Sequence, residues 1–365
     1  MTTPTTSTPS FRRFSGSNTK TLDRKIARIR AGKDTPSDFI IADAKDADMA
    51  FGITAPGPNR AGSCPHGFNR QEGCYKTLAD YQAQIREVIE QKLVDIVLLS
   101  ASNLERLAMM EGLFRNSPIT PAARANDTTD VWVSRGAGYT QQPSRHFRTA
   151  TIDHIKYGRL ESNYQRTHSG ADLGLYSITF TNNLEWDYQA LQAFHDFRIE
   201  AEQKRFRYFL EVFNPNVDPG FDSREVGGFL NDNIIRCLAG VTEAGRPLFL
   251  KIPFNGPGPL EELVAYDSNL VVGILGGSAG TTRDAFQLIH DAQKYGAKVA
   301  LFGRKINLSE SPLDFIRYLR AITDGDITPE EAVKAYHGDL EHKNIEPARP
   351  LDEDMRTTDN ALSYS

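Results

Sequence analysis

Short apolar runs alternate along the chain with longer segments in which apolar residues recur every three or four positions. Each run is four to eight residues long and rich in Val, Ile, Leu or Phe, which is typical of strands buried on both faces of a parallel sheet. The predicted strands are DFIIAD (38–43), DIVLLS (95–100), DVWVS (130–134), LGLYSITF (173–180), RYFLEVF (207–213), PLFLKIP (247–253), LVVGIL (270–275) and KVALFG (298–303). The helical spacing predicts helices at 78–92, 184–204, 282–296, 311–325 and 328–338.

This alternation of strands and helices predicts the architecture. Eight strands separated by helices over about 300 residues is the arrangement of a (β/α)₈ TIM barrel, an α/β fold. The competing open, doubly wound sheet usually carries a G-x-G-x-x-G turn after its first strand, and ADAKDADMAFG stands there instead. We therefore predict a barrel domain over 21–340, with enlarged βα1 and βα3 loops at 44–76 and 135–172.

The two ends of the chain differ in composition from the predicted barrel. Residues 1–20 are rich in Thr, Ser and Pro and lack the apolar stretch of a secretory signal. A disordered tail is predicted there, and an organelle transit peptide is the alternative, since the segment is basic and acid-free. Residues 341–365 are charged and contain Pro, which predicts a C-terminal tail that wraps a surface or stays mobile.

Charge and cysteine content narrow the class of protein. The 42 Lys and Arg against 47 Asp and Glu give a net charge of −5, which argues against a nucleic-acid partner. No apolar run approaches the roughly 20 residues that cross a bilayer, so no membrane association is predicted. Only Cys64, Cys74 and Cys237 occur, which indicates a reducing, cytoplasmic setting rather than a disulfide framework. A zinc site at Cys64, His66 and Cys74 is disfavoured because it lacks closely paired ligands.

The most informative single residue is Lys251, in the apolar strand PLFLKIP. Burying an unpaired ammonium costs several kcal/mol, so burial favours the neutral amine that attacks a carbonyl to form a Schiff base. The alternative is a lysine near a strand end that is paired with a carboxylate. Glu211, in RYFLEVF on the preceding predicted strand, follows the same logic and is expected to face Lys251 as an ion-pair partner or a proton carrier.

Acidic residues follow the first predicted strand. Asp43 stands at its carboxyl end, where barrel enzymes place acid and base groups, and is a candidate catalytic residue. Asp46 and Asp48 are interpreted as solvated loop acids, because their spacing does not match a calcium-binding loop. No metal site is predicted from these residues.

Glycines follow two consecutive strands near the end of the predicted barrel. The turn Gly276-Gly277-Ser278 leads into a helix that begins near Thr281 or Thr282, so its backbone amides and the helix N-terminus predict an anion site. The next strand ends in Gly303-Arg304, which brings a cation to the same place. Phosphate is often held after the seventh and eighth strands of a barrel. The alternative is an ordinary Gly-rich turn with an exposed Arg.

These elements resemble the class I aldolases of the DhnA/DeoC/LacD type, which include the archaeal-type fructose-bisphosphate aldolases. Lys251-Ile252-Pro253-Phe254 is similar to the K-V-P-Y of that family's sixth strand, and the Gly-Gly and Gly-Arg motifs follow in order. Ala42-Asp43-Ala44 is similar to the Asp-His-Gly of its first strand, without the His. The resemblance implies a Schiff-base lysine at Lys251, an acid/base or orienting role for Asp43, and phosphate binding by the Gly-rich turns.

The resemblance also implies a phosphorylated carbonyl substrate, no metal or other cofactor, and a homo-oligomer. One departure is that the family often has a catalytic Tyr before the Pro that ends strand five, where this chain has Asn214-Pro215. We therefore predict an aldolase acting on a phosphorylated sugar or keto acid, in which another group moves the proton. The alternatives are a lysine-dependent retro-Claisen or acyl transfer on a phosphorylated dicarbonyl, and a non-catalytic barrel that binds a sugar phosphate.

Overall fold

A computed structural model describes residues 20–59, 75–163, 167–277 and 280–362. The strands are β1 (Ile40–Lys45), β2 (Ile96–Leu99), β3 (Thr120–Arg124), β4 (Asp127–Thr128), β5 (His146–Phe147), β6 (Leu173–Thr179), β7 (Arg207–Phe213), β8 (Leu250–Ile252), β9 (Val272–Leu275) and β10 (Val299–Phe302). The helices are α1 (Thr21–Arg30), α2 (Ala47–Phe51), α3 (Leu78–Gln91), α4 (Ala101–Leu104), α5 (Ile152–Tyr157), α6 (Leu184–Gln203), α7 (Val226–Leu238), α8 (Pro257–Tyr266), α9 (Thr282–Lys294), α10 (Arg304–Leu308), α11 (Pro312–Asp324), α12 (Pro329–His342) and α13 (Leu351–Asp354).

Eight of the strands close a parallel barrel in the order β1-β2-β3-β6-β7-β8-β9-β10, with β10 returning to β1. This confirms the predicted TIM barrel. Six of the eight strands lie within predicted runs, and β1 overlaps the predicted 38–43 but continues to Lys45. None of the helices in the described ranges is long and apolar enough to cross a membrane.

The predicted third strand, at 130–134, is wrong. Thr129–Val131 form a short 3₁₀ turn, and the third barrel strand is Thr120–Arg124. The sequence TPAAR was overlooked because its side chains are small or polar. The enlarged βα3 loop therefore begins at residue 125, ten residues earlier than predicted.

The enlarged βα3 loop crosses the carboxyl end of the barrel. Its β4 and β5 form an antiparallel ribbon. Asp130 accepts a hydrogen bond of 2.9 Å from the Thr179 hydroxyl at the end of β6, and the Val133 amide donates one of 2.8 Å to Ala50 in α2. The loop therefore ties two separate parts of the barrel mouth together.

The strand residues divide between two cores. One apolar cluster fills the barrel lumen with alternate strand residues such as Ala42, Phe209 and Phe249, and α1 adds Leu22 and Ile26 to it. The rings of Phe209 and Phe249 stack with centroids 4.6 Å apart. The other cluster joins the outward strand residues to the surrounding helices. This alternation decides which side chains reach the lumen.

The C-terminal segment packs against the barrel as far as the structure describes it. Asp354 at the end of α13 and the residues that follow it contact the N-terminus of α9. We refer to residues 351–362 as the C-terminal strap.

Candidate active site

Lys251 and Glu211 face each other inside the lumen. Lys251 lies two residues after the lumen residue Phe249, and Glu211 lies two residues after Phe209, so alternation points both side chains inward. The two are partners in the β7–β8 register and form an ion pair. Their backbones and side chains are at least nine-tenths buried. The predicted placement of Glu211 opposite Lys251 is confirmed.

Glu211 is held from its other side by polar residues of β3 and β6. The Ser177 hydroxyl donates a hydrogen bond of 2.6 Å to Glu211 Oε2. Arg124 Nη2 lies 3.5 Å from the same oxygen, and Arg124 Nη1 donates to Ser177 Oγ at 3.2 Å. Asn126 fixes Ser177 by exchanging two hydrogen bonds with its backbone. The Glu211 carboxylate therefore lies between two cations and accepts a bond from a positioned hydroxyl.

Asp46 completes this buried network from the other side of Arg124. Its carboxylate accepts a hydrogen bond of 2.5 Å from Arg124 Nε, and only 5% of its surface is exposed. Burial alone would lower the pKa of Arg124, but Asp46, Glu211 and Asp127 together raise it above the ordinary arginine value. The interpretation of Asp46 as a solvated loop acid is wrong, because it neutralises a cation inside the barrel.

Asp48 is also held by the protein rather than by solvent. Its carboxylate accepts hydrogen bonds of 2.7 Å from the Ser100 hydroxyl and 3.1 Å from Asn103 Nδ2. Burial raises its pKa, and the charge of Asp46 acts in the same direction. Within the described ranges, no group of three or more Asp, Glu, His or Cys side chains is arranged to hold a metal ion.

The structure does not bring Asp43 to Lys251. Ala42 and Ala44 belong to the lumen cluster, so Asp43 between them points to the helical layer. Its partner is Lys45, with 3.2 Å between Nζ and Oδ2, and both side chains are fully buried. Burial raises the pKa of Asp43, and Lys45 opposes that shift. Lys45 in turn donates to Asn307 in α10. Asp46, three residues later, is the carboxylate of this segment that reaches Arg124 in the lumen.

The predicted phosphate site lies at the ends of β9 and β10. Gly276 packs so closely on Phe302 that a Cβ there would overlap the ring, and Gly277 has a φ of +61°, which favours glycine. A Cβ on Gly303 would lie 3.0 Å from the Ala44 carbonyl, so this glycine allows β10 to approach β1. Ser278 lies outside the described residues.

Arg304 follows Gly303 directly and is the first residue of α10. Its guanidinium lies over the Phe51 ring, 5.7 Å from the centroid. Partial burial lowers the pKa of Arg304 and the charge of Glu211 opposes that effect, so the two groups are electrostatically coupled. Across the described parts of the chain, no carboxylate lies within ion-pair distance of Arg304. Its charge is therefore available to an anionic ligand.

The N-terminus of α9 does not offer the free amides that the sequence suggested. The Thr282 amide donates to Asp354 at 2.7 Å, and the Thr281 amide donates to Asp284 at 2.8 Å. The Thr281 hydroxyl donates to the Arg356 carbonyl at 2.6 Å. Carboxylates of the protein therefore occupy the positions that a phosphate would take at this helix.

Three further polar residues make their hydrogen bonds with groups other than Lys251 and Glu211. Asn214, at the position of the missing Tyr, exchanges two hydrogen bonds with Asn255 beyond the ends of β7 and β8. His154 is held by Thr151, and His168 by the Gly170 carbonyl. Cys64, His66 and Cys74 lie outside the described residues.

Arg124 and Ser177 are site residues that were not predicted from the sequence. Both lie at lumen positions near the carboxyl ends of their strands. The available signal was a charged or polar residue that ends a short run of small residues. That signal is weak without knowing which residues form β3.

Comparison with known proteins reveals likeness at the level of structure. No protein-family model and no curated protein sequence matches the chain. A solved archaeal fructose 1,6-bisphosphate aldolase is 14% identical, covering 83% of this chain and 99% of that one, with a TM-score of 0.56. A Schiff-base-forming fructose-1,6-bisphosphate aldolase is 15% identical over 83% and 99%, with a TM-score of 0.57. The fructose-bisphosphate aldolase of Slackia heliotrinireducens is 13% identical over 87% and 90%, with a TM-score of 0.58. At these identities, the comparison establishes the shared barrel fold.

Proposed function

We propose that this chain is a class I aldolase that forms a Schiff base at Lys251 with a phosphorylated ketone. The observation that carries the proposal is the buried Lys251–Glu211 ion pair at the carboxyl end of the barrel, where enzymes of this fold place their chemistry. The shared fold with a Schiff-base-forming aldolase supports the same assignment. The phosphorylated substrate is proposed from the uncommitted Arg304 and the glycines beside it.

In the proposed mechanism, Glu211 accepts a proton from the Lys251 ammonium, and the neutral amine attacks the ketone carbon. Protonated Glu211 then returns the proton to the carbinolamine hydroxyl, which leaves as water and gives the iminium. Arg124 and Ser177 hold Glu211 in place through these transfers, since both contact its Oε2. The iminium accepts the electron pair of the breaking C–C bond and becomes an enamine, which is then protonated and hydrolysed to regenerate Lys251.

Substrate binding is proposed to use the β9 and β10 ends. Arg304 supplies a positive charge, and the turns at Gly277 and Gly303 let a phosphate approach the backbone closely. The α9 amides are not part of this proposal because Asp284 and Asp354 engage them. We assign no metal and no other cofactor to the reaction.

A lysine-dependent retro-Claisen or acyl transfer on a phosphorylated dicarbonyl is the second candidate. The observation that favours it is the Asn214–Asn255 amide pair, which stands where the related aldolases often carry a catalytic Tyr. The iminium at Lys251 would be the same, but a nucleophile would then attack the second carbonyl and take the acyl group. Product analysis after incubation with dicarbonyl and β-hydroxy ketone substrates separates the two reactions.

The test is borohydride trapping with dihydroxyacetone phosphate and a panel of keto phosphates, followed by peptide mass analysis. We expect a reduced adduct on Lys251 in the wild type, its loss in Lys251→Met, and weaker capture at low ketone concentration in Arg304→Ala. Lys156→Met is the matched control, because Lys156 is also a buried lysine but bonds to the backbone carbonyls of Lys204 and Arg205. Unchanged trapping in Lys251→Met would refute the proposal. Ligand-dependent stabilisation without any adduct would favour a non-catalytic binding barrel.

A further inference from the structure

Asp127 is a buried carboxyl that has no assigned role. It lies three residues after Arg124, in the ribbon that crosses the barrel mouth, and only 4% of its surface is exposed. In the described part of the chain its carboxyl makes no hydrogen bond and no ion pair. Its oxygens are not sealed from solvent, unlike those of Asp43, which are buried without a hydrogen bond. A carboxyl with these properties is placed to exchange a proton with a bound molecule.

The neighbouring carboxylates are already committed. Asp46 is bonded to Arg124 at 2.5 Å, and Asp48 to Ser100 at 2.7 Å. Glu211 is paired with Lys251 and accepts from Ser177. Asp127 alone among these four has no partner in the ranges that the structure describes. The carboxyl oxygens of Asp127 can therefore exchange a proton with a ligand.

The buried surroundings of Asp127 favour its protonated form. Burial is the largest cause, the opposing charge of Arg124 is the next, and the like charges of Asp46 and Asp48 act with burial to raise the pKa of Asp127 to about 6. His146 on the paired strand β5 has a pKa lowered by burial, so it adds no positive charge near neutral pH. A group that changes protonation near pH 6 is suited to proton transfer in both directions.

We propose that Asp127 is the second proton carrier of the site and acts on the substrate hydroxyl next to the bond that breaks. This inference rests on the proposed aldolase function. β3 and β8 are three strand steps apart, about 14 Å along the barrel wall at roughly 4.8 Å a step, and their lumen side chains point towards each other. A substrate of a few carbons attached to Lys251 therefore extends towards the β3 side of the mouth.

The step balances without a further reactant. The Asp127 carboxylate takes the proton of the β-hydroxyl group, and the C–O bond becomes the C=O of the leaving aldehyde. The C–C bond breaks, its electron pair forms the C=C of the enamine, and the iminium π pair moves to the Lys251 nitrogen. In condensation the same events run backwards, with protonated Asp127 donating to the aldehyde oxygen. Glu211 serves Schiff-base formation, so two carboxyl groups in different environments divide the proton transfers.

The experiment separates Schiff-base formation from C–C chemistry. Wild type and Asp127→Asn are compared for borohydride trapping with dihydroxyacetone phosphate, and for condensation of that ketone with D-glyceraldehyde 3-phosphate or glycolaldehyde. We expect trapping within about twofold of wild type and condensation reduced by about 10²- to 10⁴-fold, the usual contribution of a general acid or base. Asp127→Glu, which keeps the carboxyl, should recover part of the rate.

Two controls keep the inference falsifiable. In wild type, kcat/KM for cleavage should rise as the pH rises through about 6, because cleavage needs the carboxylate. Asp48→Asn removes a like charge and should shift this rise in kcat/KM to lower pH. Asp127→Asn should abolish the rise. Full condensation by a folded Asp127→Asn enzyme would overturn the role of Asp127. A wild type that traps none of the keto phosphates would instead refute the aldolase proposal, and this inference with it.

Discussion

At the scale of single residues, the charged side chains in the lumen form ion pairs with one another. Arg124 contacts Asp46 at 2.5 Å and Glu211 at 3.5 Å, and Glu211 also pairs with Lys251. Each of these groups is expensive to bury alone, because an uncompensated charge inside a protein costs several kcal/mol. The network therefore makes a buried Lys251 compatible with a stable barrel.

Removing the central cation should be costly. Arg124→Met leaves Asp46 without its cation and Glu211 with Lys251 as its one remaining cation, so we expect the free energy of unfolding to fall by about 3–5 kcal/mol. Urea denaturation at pH 7 measures this change. Arg106→Met is the control, since Arg106 forms a half-exposed pair with Glu111 and its loss should cost less than about 1 kcal/mol. Equal costs for the two variants would show that the network adds nothing to stability.

The sequence revealed the lysine and glutamate of the site but not their supporting residues. Lys251 and Glu211 are conspicuous because each is a charged residue inside an apolar strand. Asp43 was chosen because it ends an apolar run, but the strand continues to Lys45 and alternation turns Asp43 away from the lumen. An error of a single residue in register exchanges the two faces of a strand. Side-chain direction therefore required the structure.

At the scale of elements, the C-terminal strap organises the start of α9. Asp284 caps the helix and also accepts hydrogen bonds of 2.7 Å from the Thr358 amide and 2.6 Å from its hydroxyl. Asp354 bonds to the Thr282 amide and to His337. Lys305, next to Arg304, donates to the carbonyls of Gly280 and Thr281. The strap and Lys305 together hold Gly280, Thr281 and Thr282 at the start of α9.

Loss of the Asp284 charge should release the strap. We expect Asp284→Asn to accelerate tryptic cleavage after Arg356 by about tenfold, because two strong hydrogen bonds from Thr358 are weakened. Cleavage after Lys343, which precedes the strap and is followed by Asn344, serves as an internal reference. Asp352→Asn is the matched control, since Asp352 is exposed on the strap. Cleavage after Arg356 at the wild-type rate would contradict the role of Asp284.

The same contact has a defined pH dependence. Burial alone would raise the pKa of Asp284, but hydrogen bonds from Thr358, Thr281 and Asp359 lower it below its ordinary 3.8. Its stabilising contribution is therefore complete above the unfolded value and is lost as the pH falls through the lower folded value. The strap should stay docked at neutral and mildly acidic pH.

Element prediction succeeded where composition was distinctive. Branched and aromatic runs located seven barrel strands, and the Thr residues predicted a helix that begins near Thr281 or Thr282. In the structure Thr281 is the N-cap, and Asp284 completes a capping box with it. β3 was missed because TPAAR carries no apolar run, and 130–134 was chosen because Trp132 and Val133 resemble a strand. In the structure the Trp132 ring packs on Tyr139 and Phe147 within the loop. The aromatic residue that suggested a strand therefore packs within the βα3 loop instead of contributing to a barrel strand.

At the scale of the whole molecule, α1 closes the amino end of the barrel. Leu22 is fully buried in the lumen cluster and Ile26 is 5% exposed, while Lys25 pairs with Asp95 at 2.9 Å. The helix thus supplies the floor beneath the layer that holds Phe209 and Phe249. The sequence analysis did not predict this helix, because its apolar residues are few and it adjoins the Thr- and Ser-rich N-terminal segment.

The packing of α1 into the lumen should contribute measurably to the stability of the protein. Leu22→Ala removes buried methyl groups from a packed lumen, so we expect the free energy of unfolding to fall by about 2–5 kcal/mol. Ile29→Ala on the same helix is the control, because Ile29 is only partly buried and should cost less. Both are measured by urea denaturation. Equal, small losses in the two variants would show that α1 lies on the barrel without sealing it.

The C-terminal strap has a consequence for how the molecule is made. The last barrel strand ends at Phe302, but the amide of Thr282 receives its partner only from Asp354, and Asp284 receives Thr358 later still. During synthesis, the eight strands are therefore complete before the start of α9 can form these hydrogen bonds with the strap. A chain interrupted between β10 and the strap would contain every barrel strand and Lys251 but would lack the hydrogen bonds of Asp354 and Thr358 with the start of α9. The start of α9 is therefore completed only after the strap has been synthesised.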